Sequence, residues 1–407
     1  MEDAYILEIL RSPVGKFLGS LSGLSATDLA VQVVTELVQR SGIKKESIDG
    51  IIAGNVLSAG LGQNPAKQVI VHSGLPNSIP TLNVNMVCAS GLKAISLAAE
   101  SIQAGNSDMI IAGGMESMSN APHAIKGLRK FRKLGSISLE EAYGYSKTAS
   151  SIDFELEDEM IKTGLWDCYS DMHMGAIAEK ISKKYSISRK EQDEFALESH
   201  RKAASATDSG MFKDEIVNIR LKDGSVIDTD EGIRRDTSLE ILSKLKPAFV
   251  ENGTVTAGNA SQLSDGAAFA IVISGKKLNE LNLKPLAKIE SYADAGIDPQ
   301  WYGLSPKDSM EHALSKSGHT LDEMDLIEIN EAFCVQVLGV VKDMGIDMSK
   351  LNVNGGATAL GHPLGASGAK LLATLSHAMQ KRGKHLGIVS LCHGGGGSSS
   401  MVISRAE

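Results

Sequence analysis

Aromatic residues make up only 4% of the 407 positions in this chain, against 41 glycines. Packing must therefore rest on Ala, Val, Ile, Leu and Met, which suits closely layered helices and sheets better than an aromatic-rich binding surface. Cysteine is scarcer still, with Cys88, Cys168, Cys334 and Cys392. Four thiols spread over this length make no disulfide framework, and no C-x-x-C pair points to zinc. A reducing compartment is the default. Positive charge is also short, 41 Lys and Arg against 49 Asp and Glu, a formal net charge of -8. That balance argues against a nucleic-acid partner, because phosphate binding needs a clustered basic face. The one dense basic cluster is Arg129, Lys130, Arg132 and Lys133. It reads as a solvated loop or as a local anchor for an anionic cofactor. No apolar run approaches the ~20 residues that span a bilayer, so no membrane partner is expected. The opening MEDAYILEILRSPVGKF lacks a charged-then-apolar leader pattern, and the final SRAE is no peroxisomal address. A cytoplasmic location is the simplest expectation.

What the chain does have is room for a large core and an internal repeat. Its length suggests two or three domains. Near the front, Ser41-Gly42 closes a helical pattern, and Ile48-Asp49 leads into the apolar run Gly50 to Asn55. Near the back, Ser317-Gly318 closes another, and Met324-Asp325 leads into Leu326 to Asn330. Further on, Ala89-Ser90-Gly91-Leu92-Lys93 opens a helix followed by a strand from Asp108 to Gly114. Its counterpart is Ala366-Ser367-Gly368-Ala369-Lys370, then a strand from Leu386 to Leu391. Helices alternating with short Ile- and Val-rich strands describe an α/β protein with mixed or parallel sheets. The polar stretch between the halves carries a capping box, Ser188 with Glu191, and turn signals at Asp223-Gly224 and Glu231-Gly232. The expected domains are 1–121, completed by about 261–284; an inserted loop domain, 122–260; and 285–407.

Four residues stand out for chemistry. Cys88 follows an apolar strand and precedes a helix, where the positive helix end favours thiolate. Cys392 ends an apolar strand and is followed by His393 and four glycines, Gly394 to Gly397. Such a run has a backbone-entropy cost and lets main-chain N–H groups approach a ligand, as an oxyanion hole requires. His362 lies between Gly361 and Pro363 just ahead of a helix, a well-specified loop for a general base. Asn330 closes a strand at the end where α/β folds place ligands.

Here the sequence resembles the thiolase family over nearly its whole length. The motifs that carry the resemblance are NVNMVCASGLKA, GGMESMSNAP, HMGAIAEKIS, TAGNASQLSDGAA, INEAF, GGATALGHPLGASG and CHGGGG, in family order. The resemblance implies a thiolase-like fold: two related α/β half-domains with an inserted α/β loop domain. It implies a homotetramer or homodimer that joins two acetyl-CoA reversibly into acetoacetyl-CoA and CoA through an acetyl-cysteine. Carried over by position, Cys88 would be the nucleophile and His362 its base, with Cys392 moving the α-proton. Asn330 with His362 would stabilise the enolate oxygen, and backbone N–H groups of Cys88 and Gly394 would form the other oxyanion hole. Coenzyme A would be met by Ser261, His173, Met174 and Arg234, Arg235 being the neighbouring choice for a phosphate. The resemblance implies no metal in the site and no cofactor beyond coenzyme A, a monovalent cation in the loop domain being left open. The His173-Met174 pair resembles the short-chain branch. A thiolase of broader chain length and a non-catalytic acyl-CoA or lipid carrier are the competing readings. Two departures from the family pattern are His393 and an acid-rich stretch from Gly135 to Glu159 that reads as a solvated excursion.

Overall fold

A computed structural model describes residues 2–130, 135–136 and 155–406. Arg132, Lys133 and most of the acid-rich stretch, 137–154, lie outside the described residues. Nine strands run in one continuous path. In chain order they are β1 (Ala4–Arg11), β2 (Gly50–Gly54), β3 (Thr81–Val84), β4 (Met109–Ser117), β5 (Ser264–Ser274), β6 (Ala287–Gly296), β7 (Leu326–Ile329), β8 (Leu386–His393) and β9 (Gly397–Arg405). Their spatial order is β7-β8-β9-β6-β1-β5-β4-β2-β3. The first half of the chain thus builds one side and the second half the other. The halves are joined where β1 pairs β6 antiparallel, through Tyr5 with Lys288 and Ile6 with Ala287.

The repeat read from sequence recurs atom for atom at the strand starts. Asp49 accepts the N–H groups of Asp108 and Met109 on one carboxylate oxygen. Asp325 accepts those of His385 and Leu386 in the same way. Gly42 and Gly318 end their helices, α1 (Ala26–Ser41) and Pro306–Ser317, in the left-handed conformation at φ 65° and 74°. A residue with a β-carbon is disfavoured there, which is why both copies carry glycine.

Helices α2 (Ser90–Gln103) and α3 (Met174–Tyr185) follow in the first half and the intervening segment, then α4 (Arg189–Asp208). The second half adds α5 (Pro306–Ser317), α6 (Cys334–Met344) and α7 (Ser367–Arg382). The box at the start of α4 forms as read: Ser188 N–H donates to Glu191 Oε2 at 2.6 Å, and Glu191 N–H donates to Ser188 Oγ at 3.2 Å. One central cluster combines α2 and α7 with strand residues of both halves, among them Ile6, Val272, Val389 and Ile403. The two repeated helices therefore share a core. Their first turns touch: a β-carbon on Gly91 would stand 2.7 Å from the Gly365 carbonyl oxygen, and one on Gly368 2.6 Å from Leu92 Cβ. Only glycine lets the backbones come this close. The opening A-S-G-x-K thus brings helix to helix as well as helix to strand, since Gly54 faces the Ser90–Gly91 peptide at similar range.

β4 and β5 pair antiparallel from Met109 with Ile273 to Ser117 with Asp265, although α3 and α4 intervene in the chain. Both strands are buried along their whole length, as continuous apolar runs covered on both faces should be. Among the described residues no helix is long and apolar enough to cross a membrane.

Candidate active site

The turn between β3 and α2 sets Cys88. Val87 adopts φ 48°, a left-handed conformation that a β-branched residue rarely accepts. Ser90 pins it: its hydroxyl donates to the Val87 carbonyl at 2.6 Å and accepts the Met86 N–H at 2.9 Å. The Cys88 sulfur then receives backbone N–H groups from Gly394 and from Cys88 itself. From the other half, β8 delivers Cys392, opposite Ser398 of β9. The glycine run beyond it makes a hairpin turn, with Gly395 and Gly396 at φ 88° and 83°. The run therefore serves as both turn and donor, because Gly394 points its N–H at the Cys88 sulfur.

His362 is delivered by the loop before α7. Its main-chain N–H reaches the Gln262 carbonyl at 3.1 Å and Ser264 Oγ at 3.2 Å. Its ring Nδ1 lies 2.5 Å from Ser367 Oγ. That hydroxyl spends its single proton on the Pro363 carbonyl, 2.8 Å away, so Nδ1 must carry the proton it donates to Ser367. Nε2 is left as the acceptor and meets Asn330 Nδ2 at 3.3 Å. Asn330 Oδ1 is buried without a partner. One cavity is lined by Cys88, Cys392, His362, Gly394, Ser261 and Met174 together. Asn330 stands behind His362 and reaches the cavity through it.

Electrostatics depart from the sequence expectation. A cysteine near a helix start was expected to favour thiolate. Burial instead pushes the Cys88 thiol up to about 12, the two N–H groups opposing and the Glu116 carboxylate adding to the rise. Cys392 is pushed up by burial and by the charge of Cys88. Desolvation outweighs the helix end at both sulfurs, with Cys392 buried and Cys88 partly so in the cavity wall. His362 is driven down to about 3 by burial and by the Lys370 ammonium, so its ring is neutral.

Two sulfurs, a neutral imidazole with an unprotonated Nε2 and two aimed N–H groups suit acyl transfer with proton removal beside a thioester. Comparison with known families decides the lineage. Residues 4–276 match the model of the thiolase N-terminal domain and residues 283–405 that of the thiolase C-terminal domain. The chain belongs to the thiolase family. It is 46% identical over 409 residues to the acetyl-CoA acetyltransferase of Cupriavidus necator, covering 100% of both chains. It is 45% identical to that of Allochromatium vinosum, covering 99% of each. The crystal structure of the Bacillus anthracis acetyl-CoA acetyltransferase superposes with a TM-score of 0.92 at 38% identity, over 100% of this chain and 99% of that one.

In this thiolase the coenzyme A candidates separate. Ser261 and Met174 line the cavity, Ser261 through an N–H held by the Ala332 carbonyl at 3.0 Å. His173 caps α3, its Nδ1 accepting the Gly175 N–H at 3.1 Å, and stacks on Phe249 with centroids 4.7 Å apart. Burial lowers its pKa, which favours the neutral ring, and it lies outside the residues that line the cavity. Arg234 is exposed and outside the cavity wall. Arg235 is engaged by Asp208, with both contacts at 2.9 Å, and among the described residues Arg234 is the one of the two not held in an ion pair. His393 lines the same cavity as Cys392; its Nδ1 donates to the Gly394 carbonyl at 2.7 Å, and burial lowers its pKa. Cys168 is exposed and Cys334 buried; neither lines the cavity.

Several residues of the site escaped the sequence reading. Tyr302 is buried in the wall and donates to the Met174 carbonyl at 3.1 Å. Glu331 braces the end of β7, accepting Ser199 Oγ at 2.7 Å, Asn352 Nδ2 at 2.9 Å and the Thr358 N–H at 3.0 Å. Glu116 accepts Asn55 Nδ2 and the N–H groups of Val56, Leu57 and Gly365, tying the His362 loop to the opposite half. Ser90 and Ser367 did leave a signal, since they are the same residue of the repeated A-S-G-x-K. Tyr302 left none.

Proposed function

We propose that this thiolase is an acetyl-CoA C-acetyltransferase, joining two acetyl-CoA reversibly into acetoacetyl-CoA and free CoA. The observation that carries the reading is the meeting of Cys88, Cys392 and His362, its Nε2 unprotonated, in one cavity. The full-length likeness to proteins named acetyl-CoA acetyltransferase supports it.

Cys88 attacks the thioester carbonyl carbon while its S–H proton passes to His362 Nε2. The Cys88 and Gly394 N–H groups receive the developing oxyanion. The tetrahedral adduct collapses, the C–S bond to coenzyme A breaks, and the leaving thiolate takes the proton back from His362. For the second acetyl-CoA, Cys392 passes its thiol proton to His362 Nε2 and, as a thiolate, removes the α-proton. The enolate oxygen is met from the Asn330–His362 side, and the enolate carbon attacks the acetyl group on Cys88. The new C–C bond forms, the C–S bond to Cys88 breaks, and the proton on His362 restores the Cys88 thiol while Cys392 keeps the α-proton as its own thiol. Two sulfurs are needed because one is occupied as an acyl thioester while the other carries the proton. The steps balance with no further cofactor. Ser261, Met174 and the neutral His173 would face the pantetheine arm, with Arg234 nearest to the role of phosphate contact.

Release of free thiol from acetyl-CoA by purified protein tests the reading, together with thiolysis of four-carbon and ten-carbon 3-ketoacyl-CoA. Faster cleavage of the ten-carbon substrate would overturn the short-chain assignment. Self-association belongs to the same reading, since β3 is an edge strand that leaves Leu82 half exposed. Light scattering that reports a monomer would remove it.

A further inference from the structure

The glycine run that supplies an oxyanion donor does little to hold itself in place. Gly394 to Gly397 restrict the backbone less than any other sequence would, so a donor carried on the run is preorganised only by what surrounds it. Both ends are anchored. His393, the last residue of β8, pairs with Gly397, the first of β9. The Ile297 N–H donates to the Gly396 carbonyl at 2.7 Å, and Ser305 Oγ donates to the Gly397 carbonyl at 2.6 Å.

Gly394 lies between these anchors and is packed loosely. A β-carbon there would come no nearer than 3.6 Å to Val87 Cγ1 and 3.7 Å to Met174 Cε. Among the described residues its carbonyl has one partner, His393 Nδ1 at 2.7 Å. A carbonyl oxygen only accepts, so Nδ1 carries the proton in this bond. The ring's other nitrogen, Nε2, lies against Gly397, where a β-carbon would stand 2.3 Å from it. With one nitrogen donating and the other packed on β9, the ring is wedged inside the turn. His393 lines the cavity, yet the reaction above gives it no task.

Resting on the proposed function, we infer that His393 is a positioning residue that holds Gly394 so that its N–H meets the oxyanion formed at the Cys88 thioester. The ring grips the Gly394 carbonyl, and the N–H of the same residue reaches the Cys88 sulfur. That hydrogen bond closes a ring of atoms through the 393–394 peptide, which carries the N–H, and so restrains the dihedral angles on either side of it. The donor is needed when the Cys88 thioester forms and when it is cleaved. Enolisation draws on the Asn330–His362 side instead. Loss of the grip should therefore divide the reaction into an impaired half and an intact one.

The test separates acetyl uptake from enolisation in the full chain. Rapid-quench mixing with acetyl-CoA reads acetylation of Cys88 as the first release of free CoA. Exchange of methyl protons with D2O, followed by NMR, reads enolisation of a ketone analogue in which a methylene replaces the thioester sulfur, so that it cannot acetylate Cys88. His393→Phe keeps a ring and loses the donor, so acetylation should slow roughly tenfold or more while exchange stays within about twofold of the parent. Asn carries an N–H as many bonds from its backbone as Nδ1, so His393→Asn should recover acetylation to within about threefold of the parent. A merely structural role would depress both reactions together and would not follow the donor. If His393→Phe does not fold, His393→Ala, which also lacks the donor, is read against His393→Asn in its place. Acetylation at the parent's rate without the donor, equal losses in the two reactions, or no recovery with Asn overturns the inference. The proposed reaction itself falls only if the parent releases no CoA from acetyl-CoA.

Discussion

Cys88 is held as a thiol and His362 as a neutral imidazole, and both states come from burial before they come from any partner. Because the ring is pushed down to about 3 from an ordinary 6.5, its neutral form dominates throughout the neutral range. kcat/KM measured against pH should therefore show no loss at the ordinary histidine value. It should rise toward alkaline pH, where thiolate formation becomes easier. A steep fall below 6.5 in this profile, abolished in a His362 variant, would contradict the assignment of the ring's state. Cys88→Ala should end acetyl transfer while coenzyme A binding, followed by calorimetry, persists. Asn330→Ala should lower kcat by about 10²-fold with little change in KM, since it removes a donor that acts on developing charge. Ser367→Ala frees the tautomer of His362 and should cost roughly tenfold or more in kcat. Cys88, Cys392, His362 and Asn330 were all legible from their motifs. Their protonation was not, because a helix terminus is visible in sequence whereas the burial that outweighs it is assembled from distant segments.

At the scale of elements, α2 and α7 meet through glycines, so their first turns register the two halves against each other. Gly91→Ala would place a methyl 2.7 Å from the Gly365 carbonyl oxygen, a backbone atom in the loop that carries His362. Urea unfolding should show a loss of about 1–3 kcal/mol. Turnover should fall further than stability, because the displaced loop holds the base. A parental midpoint and parental kcat would show that the contact can relax. The element pattern itself read well from sequence. Both left-handed glycine ends and the Ser188–Glu191 box are local arrangements, whereas Asp49 and Asp325 reach strand starts 59 and 60 residues away. Strand ends read less well: β8 continues through Cys392 to His393, where the apolar run had suggested a stop at Leu391. Cross-strand pairing with Gly397 and Ser398 extends it, and that pairing depends on the following hairpin.

At the scale of the molecule, Arg11 ties the end of β1 to the segment that intervenes between β4 and β5. Its guanidinium meets Asp230 through both terminal nitrogens, at 2.7 and 3.0 Å, and Glu215 through Nε at 2.7 Å. Phe212 lies beneath it at 5.2 Å. Arg11→Met would leave two carboxylates buried without their cation, which typically destabilises by about 3–5 kcal/mol. Denaturation should report that loss, and hydrogen exchange should show earlier opening of residues 211–230 than of β4 and β5. Uniform exchange across both regions would argue that Arg11 does not anchor the segment. Nothing in the opening RSPVGK singled out this arginine, since its partners lie 204 and 219 residues away.

The order of the repeat, the α/β class and the motifs that carry Cys88, Cys392, His362 and Asn330 were legible in the sequence alone. Each rests on short-range chemistry: a capping residue, a glycine that must turn, a serine that returns to its own loop. Only the tertiary structure decided that both sulfurs share one cavity, that Asn330 stands behind the imidazole, and that the thiols and ring rest uncharged. Those outcomes depend on which surfaces exclude water from a given atom, and desolvation is a property of everything packed around that atom.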